Sequence, residues 1–213
     1  MKITKIEIQK GRPRRRTLYV DGKFFAGVDG EVVERLGLEE DQEIEGGSLA
    51  EILQQEEIRR AKEYGLNLLS YRMRSVEEMR MRLTEKGFNG EVVDSVIGDL
   101  KRVELLDDQK FAMAWMRSQM ETNPKGSYGL KMELGEKKVP EEIVQEVLKV
   151  YSKEYDEREV AITLARKRMK AFGKEKEEVI QSRLADFLSR RGFSYEIIRE
   201  VVHQVYHLME EGK

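Results

Sequence analysis

A chain of 213 residues is long enough to bury a core as one large or two modest domains. The absence of cysteine excludes disulfides and thiolate-held metals and fits a reducing compartment. No apolar run approaches the ~20 residues that span a bilayer and no signal-peptide core is present, so a cytoplasmic protein without a membrane partner is expected.

The net charge of −2, from 39 basic and 41 acidic side chains, conceals segregation. Residues 1–16 carry seven basic side chains against Glu7 alone, and 21–57 carry twelve acidic against two basic. Residues 58–90 return to eight basic against four acidic, and 166–191 hold nine against four. Local faces therefore say more about partners than the sum does. With only three prolines and an A/E/K/R/L-rich makeup, the chain should be mainly helical.

Strand character is confined to Met1–Val28. Ile3, Ile6 and Ile8, then Leu18–Val20 and Phe24–Val28, form short β-rich runs, and Asp21-Gly22 is a hairpin turn signal. The basic run GRPRRR (11–16) reads as a loop into that hairpin. A short helix over Glu31–Leu36 should end at Gly37, followed by an acidic connector, Glu39–Gly47. Ser48 with Glu51 is a capping box that opens a long helix toward Leu69. The boundary of the helical array is placed near residues 55–60.

The next stretch, Ser75 to Leu100, returns twice. Ser75 and Glu78 form a second capping box, Met79 and Leu83 give an apolar stripe, and Gly87 should stop the helix with positive φ. Asn89 is the expected N-cap of a second helix that buries Val92, Val93, Val96, Ile97 and Leu100, with Phe88 stapled to Val93. RLTEKGFNGEVVDSVI (82–97) aligns with ELGEKKVPEEIVQEVL (133–148) and FLSRRGFSYEIIREVV (187–202). Leu83, Leu134 and Leu188 correspond, as do Phe88, Val139 and Phe193, then Val92, Ile143 and Ile197. Val96, Val147 and Val201, then Ile97, Leu148 and Val202, continue the register.

Repetition at this period marks stacked supersecondary units that cannot bury their apolar faces alone. The expected fold is mainly α: a tandem, solenoid-like array of three three-helix repeats behind a small N-terminal antiparallel β segment. Its parts are residues 1–50, then repeats over 51–105, 106–153 and 154–213. Helices are expected near 50–70, 75–86 and 90–103, then from Asp107-Asp108 to Asn123, at 127–137 and 140–152, and finally at 156–171, 175–190 and 194–210. A few extra residues fall around Phe172-Gly173-Lys174. Lys138 stands where the other repeats have Gly87 and Gly192; either it adopts a left-handed conformation at about 1 kcal/mol or its helix ends differently.

Catalytic patterns are lacking. His203 and His207 have the i,i+4 spacing of metal ligands, yet no HExxH pattern or third ligand accompanies them. There is no phosphate-binding glycine loop or nucleophile elbow, and Asp107 and Asp108 are better read as helix-start partners. Tyr64, Phe111 and Trp115 occupy apolar repeat positions and read as core. No enzyme activity, metal or cofactor is expected. Basic clusters are the stronger signal: Arg72, Arg74, Arg80, Arg82 and Lys86 in the first repeat, Arg166, Lys167, Arg168 and Lys170 in the third, and Arg190 with Arg191.

LLSYRMRSVEEMRMRLTEKGF (68–88) followed by LLDDQKFAMAWMRS (105–118) resembles the RecX family of bacterial recombinase regulators, whose members show R-x-R-S…L…K-G-[FI] and then L-[LI]-[DN]-D-x-x-[FY]-A. The resemblance covers roughly residues 57–209, and the strand-rich N-terminus is similar to an extension found in some members. It implies a helical array that lodges in the groove of a RecA–DNA filament and modulates, typically inhibits, ATPase, strand-exchange and co-protease functions without catalysis of its own. The implied partners are the RecA filament and DNA, reached through the filament or weakly alone; a monomer is expected. Contact candidates are the basic residues named above together with Lys125 and Lys131. Two alternatives remain, a free DNA-binding helical protein and a helical scaffold for another partner. The first is disfavoured because the second helix of the Ser75–Leu100 pair is acidic (Glu91, Asp94, Asp99), the reverse of a recognition helix.

Overall fold

The computed structural model describes residues 1–44, 46–172 and 176–210, except the side chains of 46–48 and 206–210. Strands β1 (Ile3–Gln9), β2 (Arg12–Val20) and β3 (Lys23–Asp29) pair antiparallel in the order β1-β2-β3. Asp21 and Gly22 both have positive φ, 49° and 76°, the backbone a two-residue hairpin turn needs. The basic run differs from the loop expected of it. Arg12 to Arg16 extend the central strand, with Ile8 opposite Arg16 on one side and Val28 opposite Arg16 on the other. Only Gly11, at φ 78°, is needed to turn the chain with Lys10. Pairing of Arg16 on both sides, of Arg15 with Asp29 and of Arg12 with Gln9 outweighs the weak strand propensity of arginine, whose long side chains can leave the sheet for solvent.

Ile3, Leu18, Val20 and Val28 form the buried face of the sheet, covered by Val32 and Val33 of α1 (Gly30–Leu36) and by Leu49 and Leu53 of α2 (Gly46–Tyr71). Asp29 caps α1 by accepting from the Glu31 N–H at 3.1 Å, and Gly37 ends it at φ 59°. The acidic connector follows the outer edge of β1. Ile3 N–H donates to the Gln42 carbonyl (2.9 Å), Asp41 N–H to the Ile3 carbonyl (2.8 Å), and Ile6 N–H to Glu40 Oε1 (2.7 Å). It thus occupies backbone groups that an edge strand would otherwise expose. Helix α2 is continuous through residues 50–60, and its first half belongs to the sheet's core. The Ser48 side chain of the expected cap lies outside the described residues.

Three three-helix domains follow in tandem. The first combines α2 with α3 (Val76–Lys86) and α4 (Gly90–Arg102), and the second holds α5 (Asp108–Thr122), α6 (Ser127–Glu136) and α7 (Glu141–Glu154). The third holds α8 (Glu157–Met169), α9 (Glu177–Arg190) and α10 (Tyr195–Glu210). Leu83, Leu134 and Leu188 are each 0% exposed, as the repeat alignment requires. Truncating any of them to alanine removes buried methyl groups at about 2–5 kcal/mol. One register detail shifts: Val92 is buried, but Ile143 and Ile197 are only partly so, and the deeper residues of those repeats are Val144 and Ile198.

The middle helices end alike. Gly87, Lys138 and Gly192 have φ of 99°, 57° and 74°, so Lys138 takes the left-handed conformation. Phe88, Val139 and Phe193 N–H donate to the carbonyls of Leu83, Leu134 and Leu188 at 3.1–3.3 Å, and the preceding N–H reaches Thr84, Gly135 or Ser189. The same bonds form around lysine because the fold, not the residue, dictates the turn.

The chain divides into two compact units, Met1–Tyr71 with Arg82–Asp99 and Arg72–Met81 with Leu100–Lys213. Within the second, the second and third repeats meet backbone to backbone. Gly126 N–H donates to the Arg191 carbonyl (3.0 Å) and Gly129 N–H to the Gly192 carbonyl (3.3 Å). A Cβ on Gly126 would fall 2.3 Å from the Gly192 carbonyl oxygen, so only glycine permits this approach. Glu157 at the start of α8 also accepts from the Ser127 N–H at 3.0 Å.

Candidate functional site

The basic residues singled out in the sequence have separate fates. Arg72 and Arg74 both turn back onto the Glu78 carboxylate, and Arg74 is only 10% exposed. Glu78 is therefore occupied by arginines, and only the Ser75 half of the capping box forms as expected, with the Glu78 N–H donating to Ser75 Oγ at 3.1 Å. Burial pushes the Glu78 carboxyl up, but the two guanidiniums outweigh it and hold it below the usual range. Arg80 lies 3.8 Å from Glu77 and Arg82 3.1 Å from Glu85, exposed pairs one turn apart that are worth little. Lys86 sits 5.3 Å from the centre of the Tyr64 ring.

In the second repeat, Lys125 is paired with Glu133, which also accepts from Trp115 Nε1 at 3.1 Å. Lys131 reaches Glu141 at 2.7 Å. These lysines are committed to carboxylates of their own repeat. Lys125 is further withdrawn, its side chain only 16% exposed.

The third repeat is different. Helix α8 buries Ala161, Ile162, Ala165 and Met169, which leaves Arg166, Lys167, Arg168 and Lys170 on its outward side. Lys167 and Arg168 line a groove of about 290 Å³ together with Phe187 and Arg191 of the α9 end and Pro124 of the second repeat. Arg191 donates to the Pro124 carbonyl at 2.8 Å, and its guanidinium stands 4.8 Å from the Phe187 ring centre. Arg168 lies 5.5 Å from the same ring and 5.7 Å from that of Phe172. Burial lowers the pKa of Arg191, but a guanidinium keeps its proton. Among the described residues no carboxylate pairs with Lys167, Arg168 or Arg191. Arg190 is exposed beside the groove, and Arg166 precedes it on α8.

This arrangement can bind anions through fixed cations and a flat apolar face. Acid–base chemistry has little to build on. Asp107 accepts from Gln109 and Lys110 N–H at 2.8 and 3.0 Å, and Asp108 from Val76 N–H at 2.8 Å, so both serve helix starts. His203 is exposed, and the His207 side chain lies outside the described residues. Among the described residues no three His, Asp or Glu side chains gather as a metal site, and no helix is long and apolar enough to cross a membrane.

The sequence reading did not count Arg12, Arg14 and Arg15 among its candidate contacts. They line a second basic cleft with Arg60 and Lys86, in the unit that contains the sheet. The excess of positive charge over residues 1–16 was the available signal.

Comparison with known proteins agrees with this architecture. Family models match the RecX regulatory protein N-terminal domain at residues 1–45 and the RecX first, second and third three-helix domains at 61–100, 107–148 and 155–202. The chain is 31% identical to a regulatory protein RecX of Bacillus subtilis over 98% of its own length and 79% of the relative's. It is also 31% identical to one of Clostridioides difficile, over 98% and 97% of the two chains. A crystal structure of regulatory protein RecX superposes with a TM-score of 0.65 at 26% identity, covering 94% of this chain and 98% of that one. The tandem three-helix domains, the N-terminal sheet and these matches together place the chain in the RecX family of regulatory proteins.

Proposed function

We propose that this protein is a non-enzymatic regulator that binds RecA–DNA filaments and restrains their ATP turnover, strand exchange and co-protease action. The observation that carries the reading is the third-repeat groove, where Lys167, Arg168 and Arg191 surround Phe187 without a partner carboxylate among the described residues. Such a groove suits DNA phosphates or an acidic face of the filament protein. The rigid joint between the second and third repeats holds the groove in shape, so little order has to be gained on binding. Inhibition then follows from occupancy: a protein seated on adjacent protomers hinders their turnover and access to substrate.

The first-repeat residues Arg80 and Arg82 are the second contact in this reading, since their exposed pairs are weak enough to exchange for a partner. Arg74 and Lys125, held by internal carboxylates, are assigned to stability instead.

The test is DNA-stimulated ATP hydrolysis by RecA, titrated with wild type, Arg166→Glu/Lys167→Glu and Arg80→Glu/Arg82→Glu at several salt concentrations. The expected outcome is weaker and less salt-sensitive inhibition by both variants, with unchanged circular dichroism. Equal potency of wild type and Arg166→Glu/Lys167→Glu would remove the groove from the interface.

A further inference from the structure

Where α5 and α7 end against the first half of α8, within the second unit, a cavity of about 350 Å³ opens beside the third-repeat groove. Met120, Pro124, Tyr155, Val160 and Leu164 make its apolar walls, and Glu154, Asp156, Glu159 and Thr163 its polar edge. Tyr155 is held in place. Its ring stacks on that of Tyr151 at 5.6 Å between centres, and the buried Tyr151 donates to the Lys125 carbonyl at 3.0 Å.

No cation lines this cavity, and its three carboxylates are unequally occupied. Asp156 accepts from the Arg158 and Glu159 N–H groups at 2.9 and 3.2 Å and so starts α8. Glu154 accepts from Arg117 at 3.0 Å, a pair exposed enough to be weak. Glu159 pairs with no cation among the described residues. The dipole of α8 favours a carboxylate at Glu159, but Glu154 ends α7, where the dipole disfavours one. One unpaired and one loosely held carboxylate beside a tyrosine suit a guanidinium or ammonium on an apolar stem. Pro124 and Leu164 also line the groove of Lys167, Arg168 and Arg191, so the two cavities share a wall. A ligand spanning both meets carboxylates at one end and cations at the other. A nucleic-acid backbone offers only anions and is repelled from the acidic end, whereas a polypeptide supplies both signs.

We propose that this cavity receives an arginine or lysine side chain of a partner polypeptide. The stem of that side chain lies against Tyr155, Val160 and Leu164, and its charged head meets Glu159 and Glu154. The site adjoins the third-repeat groove but rests on charges of the opposite sign.

The experiment is a proton–nitrogen NMR titration of the full chain with the capped dipeptide acetyl-leucyl-arginine amide. Its neutral isostere, with citrulline for arginine, and acetyl-leucyl-glutamate amide serve as comparisons. The arginine peptide is expected to shift the amides of Tyr155, Val160 and Leu164. The citrulline peptide should bind about fivefold more weakly, the factor for one charge contact near 4 Å in water, and the glutamate peptide should leave those amides in place. Glu159→Gln should weaken the arginine peptide by about fivefold. Arg117→Gln, which frees Glu154, should tighten it by about the same factor. Glu159 and Arg117 are exposed, and the spectrum of each variant reports its folding. A general loosening of the structure cannot produce effects of opposite sign. Equal binding of the arginine and citrulline peptides, no shift at the three amides, or no change in either variant overturns the assignment. RecA and DNA are absent from the assay, so its outcome is independent of the filament reading.

Discussion

Ser75 Oγ donates to the Lys137 carbonyl at 2.7 Å, joining the start of α3 to the end of α6. The bond has a counterpart one repeat later, where Gly126 N–H donates to the Arg191 carbonyl. Ser75 and Gly126 are separated by the same 51 residues as Leu83 and Leu134, and Lys137 and Arg191 by the same 54 as Leu134 and Leu188. The neighbouring contact repeats as well, with Val76 N–H on Asp108 in one joint and Ser127 N–H on Glu157 in the other. Stacked repeats thus share one joint: the first turn of a middle helix docks on the exit turn of the next repeat's middle helix, beside a carboxylate at that repeat's start. A hydroxyl makes the bond in one joint and a bare glycine amide in the other, so the second joint is the closer and the more sensitive to size.

That sensitivity is measurable at Gly129. A Cβ there would lie 2.6 Å from the Arg191 carbonyl oxygen, which is backbone and cannot swing aside. Gly129→Ala is expected to cost about 1–3 kcal/mol through overpacking, read as a lower urea midpoint. Gly135→Ala is the control on the same helix, α6, with nothing within 4 Å of the new methyl. It should raise stability by about 0.5–1 kcal/mol by removing unfolded-state freedom.

Lys138 offers the opposite sign. Its φ of 57° lies in a region that a Cβ disfavours by about 1 kcal/mol, and the N–H of the following Val139 still closes onto Leu134. Lys138→Gly should therefore gain up to about 1 kcal/mol in chemical denaturation, while Gly87→Ala should lose a similar amount. Loss of stability in Lys138→Gly would show that contacts of the lysine outweigh the backbone strain.

Glu78 gives the protein a pH-dependent element. Its folded pKa is lowered below the ordinary 4.5 by Arg72 and Arg74 despite burial. The stabilisation is therefore present above pH 4.5 and is lost as pH falls through the lowered folded value. Glu78→Gln removes the charge that Arg72 and Arg74 share, at about 1–3 kcal/mol near pH 7. Thermal melts of wild type and variant from pH 7 to pH 3 should converge in acid. A constant gap over that range would mean that the carboxylate charge contributes nothing.

Much of this fold is legible from residue order because its signals are local. The leucine repeat, the Asp21-Gly22 hairpin, the Asp107 cap and the glycine stops each follow from a helical or strand period or from the φ that one residue must adopt. Lys138 could be flagged for the same reason, although which way it resolved depended on the turn imposed by its neighbours. The fates of the charges were not legible, because they depend on partners far away in the chain. Arg191 meets the Pro124 carbonyl across 67 residues, and Arg60 draws off Asp29 and Glu31 from the far side of a helix and a connector. Composition alone therefore ranked Arg74 and Lys125 with Lys167 and Arg168 as equivalent surface cations. Tertiary packing separated them by bringing Glu78 and Glu133 to the first pair and an aromatic ring to Arg168 in the second. It also made a strand of the basic run at 12–16, because Arg16 pairs with both neighbours, Arg15 with Asp29 and Arg12 with Gln9, whatever the run's own propensity.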